Sequence, residues 1–179
     1  MIFKIAFIGK ICAGKTTASE YIMKQIPEMK KLAFADKLKE IAVDLFDMKE
    51  KNRSLLIQVA QKMKDIDPNV WVNATLKKIQ GFWEQNKHIV IDDCRFKNEY
   101  AALQKLNDII FIKLEISPEE QLKRLKHLYS NYQNHLDCGQ DYSENDLNEV
   151  EYDYLLKDAS LDQTYKLLDH IIRLNYLNL

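Results

Sequence analysis

"GKICAGKT", Gly9 to Thr16, holds two of the chain's four glycines within six residues. An apolar run, Ile2 to Gly9, leads into it, and a helical pattern, Lys15 to Gln25, leads out. The spacing G-x-x-x-x-G-K-[ST] is that of a phosphate-binding loop, and that motif requires a strand before it and a helix after it. Gly9 lets the chain turn sharply off the strand, and Gly14 removes a Cβ where phosphate oxygens approach the backbone. Ile11, Cys12 and Ala13 complete the cradle. The amides of Ala13 to Thr17 point into the loop, where the helix dipole favours an anion. Lys15 is expected to reach the β- and γ-phosphates of ATP as a surface side chain touching only ligand. Thr16 is expected to carry Mg²⁺ on its hydroxyl, and Thr17 to approach the α-phosphate. Cys12 reads as a small space-filler whose oxidation would block the loop.

Outward from the loop, strand and helix patterns alternate. Lys31 to Ala35 reads as a second strand. Asp36 is expected to cap a helix whose apolar residues Leu38, Ile41, Ala42 and Leu45 recur at helical spacing. Helices are expected over Leu55 to Lys64 and Asn69 to Trp83, a buried strand over His88 to Asp93, and a helix over Lys97 to Leu106. A fourth strand, Asp108 to Ile116, precedes a helix opened by Ser117 and Pro118, a serine cap with proline at the first helical position. A polar stretch, residues 131–149, reads as a lid. Glu151 to Leu156 reads as a last strand and Leu161 to Asn175 as a last helix. The pattern predicts an α/β fold: a P-loop NTPase-type parallel sheet of about five strands flanked by helices, with a lid, in one domain over residues 1–179.

Composition narrows the function. The formal net charge is −1, so no global field draws the chain to nucleic acid or membrane. No apolar run approaches the ~20 residues that span a bilayer, and the first residues lack a signal-cleavage pattern. The three cysteines form no metal or redox pair, which fits a reduced, cytoplasmic protein. Lysine outnumbers arginine 22 to four. Where lysine is the default cation, an arginine is expected at sites needing bidentate contact with phosphate. Arg53, Arg95 and Arg124 lie in suitable places; Arg173 reads as a surface residue.

"IDDCRFKNEY", Ile91 to Tyr100, is the second informative cluster. It closes the third strand, and ligands of open parallel sheets bind outside the carboxyl ends of strands. Strand alternation argues against both Asp92 and Asp93 facing the site, and Asp93 is preferred. The pairing motifs of a GTPase are missing: "NKHI" lacks the aspartate and "DDCR" the glycine.

Five places in order resemble the deoxynucleoside monophosphate kinases of bacteriophages and related viruses, members of the nucleoside monophosphate kinase-like P-loop group. They are "GKICAGKTT"; "AFADKLKEIA", like the family's S-F-A-x-P-L-K; "NRSLLIQVAQ", like R-x-L-L-Q-x-x-G; "DPNVWVNATLKKI"; and "IDDCRFKNEYAAL", like D-V-R-F-x-N-E. "DYSENDL" at Asp141 is a weaker echo, with Tyr142 where the family tends to have histidine. Ala33 and Lys37 replace the family's serine and proline. The resemblance implies phosphate transfer from ATP, with Mg²⁺, to a deoxynucleoside monophosphate. It implies Lys15, Asp93 and Arg95 as catalytic residues, and Thr16 and Asp93 at the metal; Arg124 joins the catalytic set from its placement in the helix leading to the lid. Asp36, Lys39, Arg53, Trp71 and Arg95 would serve the acceptor, and Asn98 and Glu99 would fix the helix after the strand. Partners would be small-molecule nucleotides, with no direct nucleic acid or membrane contact, and the chain a monomer or homodimer. A phosphomevalonate-type kinase, a nucleoside kinase and a non-catalytic nucleotide-binding module stay open. Residues 137–158 carry eight acidic residues and one lysine, Lys157. Such a segment repels nucleotide unless its carboxylates face away, and Arg124, with Lys123 or Lys126, would replace the cations it lacks.

Overall fold

The strand before the loop, β1 (Lys4–Gly9), is the middle of a five-stranded parallel sheet. The computed structural model describes residues 2–129, 132, 133, 146, 147 and 149–176. Its elements are α1 (Lys15–Gln25), β2 (Lys30–Leu32), α2 (Asp36–Phe46), α3 (Arg53–Ile66), α4 (Val70–Glu84), β3 (Ile89–Cys94), α5 (Lys97–Gln104), β4 (Ile109–Glu115), α6 (Pro118–Leu128), β5 (Tyr154–Lys157) and α7 (Leu161–Asn175). The strand order is β2-β3-β1-β4-β5.

Period-two alternation divides β1 between two cores. Phe3, Ile5 and Phe7 pack with Ala18, Ile22, Leu168, Ile171 and Ile172, so α1 and α7 cover one face. Ala6 and Ile8 pack with Ile89, Ile91, Val72, Ile79 and Leu103, so α4 and α5 cover the other. Parallel pairing of β1 with β3 and β4 brings their carboxyl ends to one edge of the sheet.

Several boundaries differ from the sequence reading for local reasons. β2 stops at Leu32, not Ala35. Asp36 does not cap α2: it is the first helical residue, Ala35 holds the cap position, and the Asp36 carboxylate accepts from Ala33 N at 2.9 Å. α3 starts two residues early because Asn52 Oδ1 accepts from Leu55 N at 3.1 Å. α5 ends at Gln104. β5 lies further along than Glu151 to Leu156. The apolar stripe of α2 is not a core face: Ala42 alone in that helix is buried, and Leu45 is 73% exposed. Ser117 does cap α6, accepting from Glu120 N, with Pro118 at the first position.

Most of the expected lid, and the echo at Asp141 to Asn145, lies outside the described residues. Three carboxylates of the acidic segment have a structural role. Asp146 accepts from Lys97 N at 2.6 Å, Asp153 from Phe111 N at 2.8 Å and Asp158 from Ser117 N at 2.7 Å. These carboxylates join the segment to β4 and to the starts of α5 and α6. Among the described residues, no helix is long and apolar enough to cross a membrane.

Candidate active site

The loop between β1 and α1 is shaped by its two glycines for different reasons. A Cβ on Gly9 (φ 155°) would stand 2.4 Å from Leu114 O, so this glycine lets β1 pack against β4. Gly14 (φ 101°) has nothing within 4 Å of where its Cβ would be. That open space lies at the start of α1, where backbone N–H groups have no intrahelical acceptor. Cys12 also takes a left-handed conformation, φ 63°. The vacant Gly14 side, the exposed Thr16 and Thr17 and the helix start fit a triphosphate. Lys15 differs from expectation. It is 8% exposed, and its ammonium donates to Gly9 O at 2.5 Å and Lys10 O at 2.7 Å, so it belongs to the loop's own structure. A buried ammonium needs acceptors, and the turn supplies two carbonyls.

Helix α6 grips the same loop. Gln121 Nε2 donates to Ile11 O at 3.1 Å, and Arg124 Nη1 to Cys12 O at 3.2 Å, while Arg124 Nε donates to Glu120 at 2.9 Å. The structure thus places Arg124 on the loop, and Gln121, which the sequence reading passed over, beside it.

The end of β3 breaks the alternation on which the choice between Asp92 and Asp93 rests. Ala6 pairs with Ile91 but Ile8 with Cys94, so two β3 residues oppose one β1 residue. Such a bulge re-aims side chains. Asp92, buried, pairs with Lys31 Nζ at 2.6 Å and accepts from Ser19 Oγ at 3.2 Å; Ser19 Oγ also lies 2.8 Å from Thr16 O. Asp92 therefore stands behind the first turn of α1. Asp93 accepts from Phe34 N at 2.8 Å and Ala35 N at 3.0 Å, joining β3 to the β2–α2 turn that carries Asp36. Burial pushes the Asp93 carboxyl up, against the pull of those two amides and Arg95. Among the described residues, no three His, Cys, Asp or Glu cluster to hold a metal on their own. A Mg²⁺ that binds with a nucleotide takes most of its ligands from phosphate and water, and the Thr16 side chain is exposed at the start of α1.

Arg95 is exposed at the start of the next turn. Glu99 sets that turn: its carboxylate accepts from Arg95 N at 2.8 Å and Phe96 N at 3.1 Å. Burial raises the Glu99 pKa to about 7. Burial likewise pushes the Cys94 thiol well up, which makes it an unreactive core residue. Asn98 donates to Pro68 O and Asn69 Oδ1, tying α5 to the start of α4.

The expected acceptor residues lie on the α2–α4 side. Lys39 pairs with Asp36 at 3.8 Å. Arg53 is the exposed first residue of α3. Trp71 is 6% exposed and donates Nε1 to Ala60 O at 3.4 Å, a strut between α4 and α3. On the other side of the loop, a cavity of about 370 Å³ is lined by Gly9, Lys10, Arg95, Lys113, Glu115 and Lys157, among others. Lys113 and Lys157, which the sequence reading did not place at a site, line this cavity. The available signal was a lysine inside the apolar strand "DIIFIKLEI".

The sequence profile described as "AAA domain" matches residues 5–150, well over half of the chain. No curated protein matches it. Among solved structures, the Mycobacterium tuberculosis APS kinase in complex with AMPPNP and APS is similar with a TM-score of 0.54 at 12% identity, over 96% of this chain and 98% of that one. The Acinetobacter baumannii shikimate kinase in complex with shikimate gives 0.56 at 14%, over 99% and 95%. The Thermus thermophilus protein TT1252 gives 0.59 at 13%, over 97% and 98%. The five-stranded parallel sheet and its flanking helices are thus the fold of P-loop kinases.

Proposed function

This chain belongs to the AAA domain family, and on that premise we propose that it transfers a phosphoryl group from ATP to a deoxynucleoside monophosphate. The observation that carries the reading is the loop: a backbone cradle open at Gly14, with Lys15 beneath it, Thr16 exposed beside it and Asp92, Asp93 and Arg95 at the neighbouring strand end. The nucleotide's phosphates would lie on the amides at the start of α1, with Mg²⁺ held by Thr16 and a β3 carboxylate. When bound, the ion neutralises charge on the phosphates. Lys15 would exchange its two carbonyl partners for phosphate oxygens, and Arg95 would orient the acceptor's phosphate.

A phosphate acceptor suits this residue set. A monophosphate oxygen is already anionic near neutral pH, so no strong general base is needed, and the chain's task is to bring two polyanions together. Asp93, with an amide on each carboxylate oxygen, is better placed to fix the β2–α2 turn than to take a proton. The choice of a deoxynucleotide rests on the five-place resemblance. The testing experiment is coupled ADP release with a panel of deoxynucleoside monophosphates, nucleosides and phosphomevalonate. Turnover with a monophosphate and none with its nucleoside is expected. Equal rates would promote Asp93 to general base, and no ADP release with any acceptor would make the chain a binding module.

A further inference from the structure

Arg95 is exposed, but the turn that carries it is held from two sides. On the core side, the Arg95 and Phe96 amides both donate to one oxygen, Glu99 Oε2, at 2.8 and 3.1 Å, and Glu99 is buried. On the other side the holders come from α3 and the start of α4. The Lys64 ammonium, in the last turn of α3, lies 3.8 Å from the centre of the half-buried Phe96 ring. The other lysine–aromatic contacts among the described residues are longer, at 5.2, 5.3 and 5.6 Å. An ammonium this close over a ring is attracted by the negative face of its π-system. Asn98, three residues beyond Arg95, donates to Pro68 O and Asn69 Oδ1.

We propose that Lys64 is a positioning residue for Arg95: seated on the Phe96 ring, it ties the end of α3 to the turn, so that α3 and Arg95 meet the acceptor's phosphate as one unit. The assignment rests on the acceptor reading above and keeps the acceptor on the α2–α4 side, where Arg53 opens the same helix. Two further observations support it. Leu56 alone in α3 is buried, so a contact at the far end of that helix carries a large share of its attachment. The Lys64 charge also favours the ionised form of Glu99, against the burial that pushes that carboxyl up. One side chain of α3 therefore bears on both groups that hold the turn, the Phe96 ring and the Glu99 carboxylate. Lys64 touches no reacting atom in this role. It fixes the backbone from which a long, exposed arginine reaches, and this lowers the ordering cost when Arg95 binds phosphate.

The first measurement needs no acceptor. ¹⁵N relaxation of the full chain should give order parameters of about 0.85 at the Arg95 and Phe96 amides, and Lys64→Met should lower both towards about 0.6. Lys64→Arg should restore them, because a guanidinium also stacks on an aromatic face. Unchanged order parameters in Lys64→Met overturn the tie. The second measurement is steady-state kinetics with a deoxynucleoside monophosphate. Lys64→Met should raise KM for the monophosphate about two- to fivefold, with KM for ATP unmoved and Lys64→Arg close to wild type. In an Arg95→Lys background the same substitution should add nothing, since its effect passes through the arginine. A full further loss in that background overturns the positioning role. If no monophosphate is phosphorylated while the order parameters fall and recover in the two variants, the acceptor reading falls and the tie between α3 and the Arg95 turn stands.

Discussion

The two sides of the nucleotide loop are built differently. On the loop side, β1, α1 and α6 lock a short segment from within: Gly9 against Leu114, Lys15 onto Gly9 and Lys10, Gln121 and Arg124 onto Ile11 and Cys12. On the α2–α3 side, the helices keep large apolar residues in water, with Val43, Leu45, Phe46, Ile57 and Ile66 all at least half exposed. The first region is fixed by contacts that its residue types dictate. The second is held by few buried residues, Ala42 in α2 and Leu56 in α3. The loop side is therefore rigid, while the α2–α3 side has the lower local stability expected of elements that adjust to a ligand.

The largest effect expected of breaking this contrast is at Lys15. Lys15→Ala should lower kcat at least about 10²–10³-fold in the coupled assay. Because Lys15 is buried on two carbonyls, the variant should also lose stability, which a purely ligand-facing side chain would not show. An unchanged Tm with lost activity would restore the simpler picture. Next comes Arg95→Lys, which keeps charge but loses the planar fork. Steady-state kinetics should show kcat/KM for the monophosphate falling roughly 10- to 1000-fold, with KM for ATP nearly unmoved. Unaltered acceptor kinetics would reduce Arg95 to a turn residue.

The two glycines separate packing from ligand approach within one loop. Gly9→Ala forces a Cβ to 2.4 Å from a backbone oxygen. It should cost about 1–3 kcal/mol by overpacking, or roughly 2–12 °C in Tm. Gly14→Ala meets no atom and should lose less stability, about 1 kcal/mol from its left-handed backbone. It should instead weaken nucleotide binding in calorimetry. The reverse ranking of the two variants in stability would contradict this division.

A further expected effect is a pH dependence. An acid whose folded pKa is raised, as Glu99's is to about 7 from 4.5, adds stability that is complete below 4.5 and is lost as pH rises towards 7. Urea melts at pH 5 and pH 8 should show the wild type losing about 1–3 kcal/mol relative to Glu99→Gln over that interval. Parallel behaviour of the two proteins would assign the slope to other groups.

Much of the fold was legible because its signals are local. The apolar strands, the loop spacing and the Ser117–Pro118 helix start each announce themselves within a few residues. The α1 bounds, Lys15 to Gln25, follow from sequence alone. What could not be read depends on partners distant in sequence. The bulge at Asp92 and Asp93 arises from pairing with β1, 80 and more positions away. The roles of Asp146, Asp153 and Asp158 need to know which amides lie opposite. Trp71 is an acceptor residue by resemblance and a strut between α4 and α3 in the packed molecule. Lys113 hides inside a strand, and only the closing of β4 against β5 shows that it shares a cavity with Arg95.

The most direct test of the central claim is ³¹P NMR of the purified chain with Mg·ATP and each deoxynucleoside monophosphate in turn. The account predicts appearance of the β-phosphate resonance of a deoxynucleoside diphosphate, in step with ADP, for at least one base, and no phosphorylation of the matching nucleoside. A spectrum in which ATP stays intact with every monophosphate, or in which the nucleoside is phosphorylated instead, would contradict it.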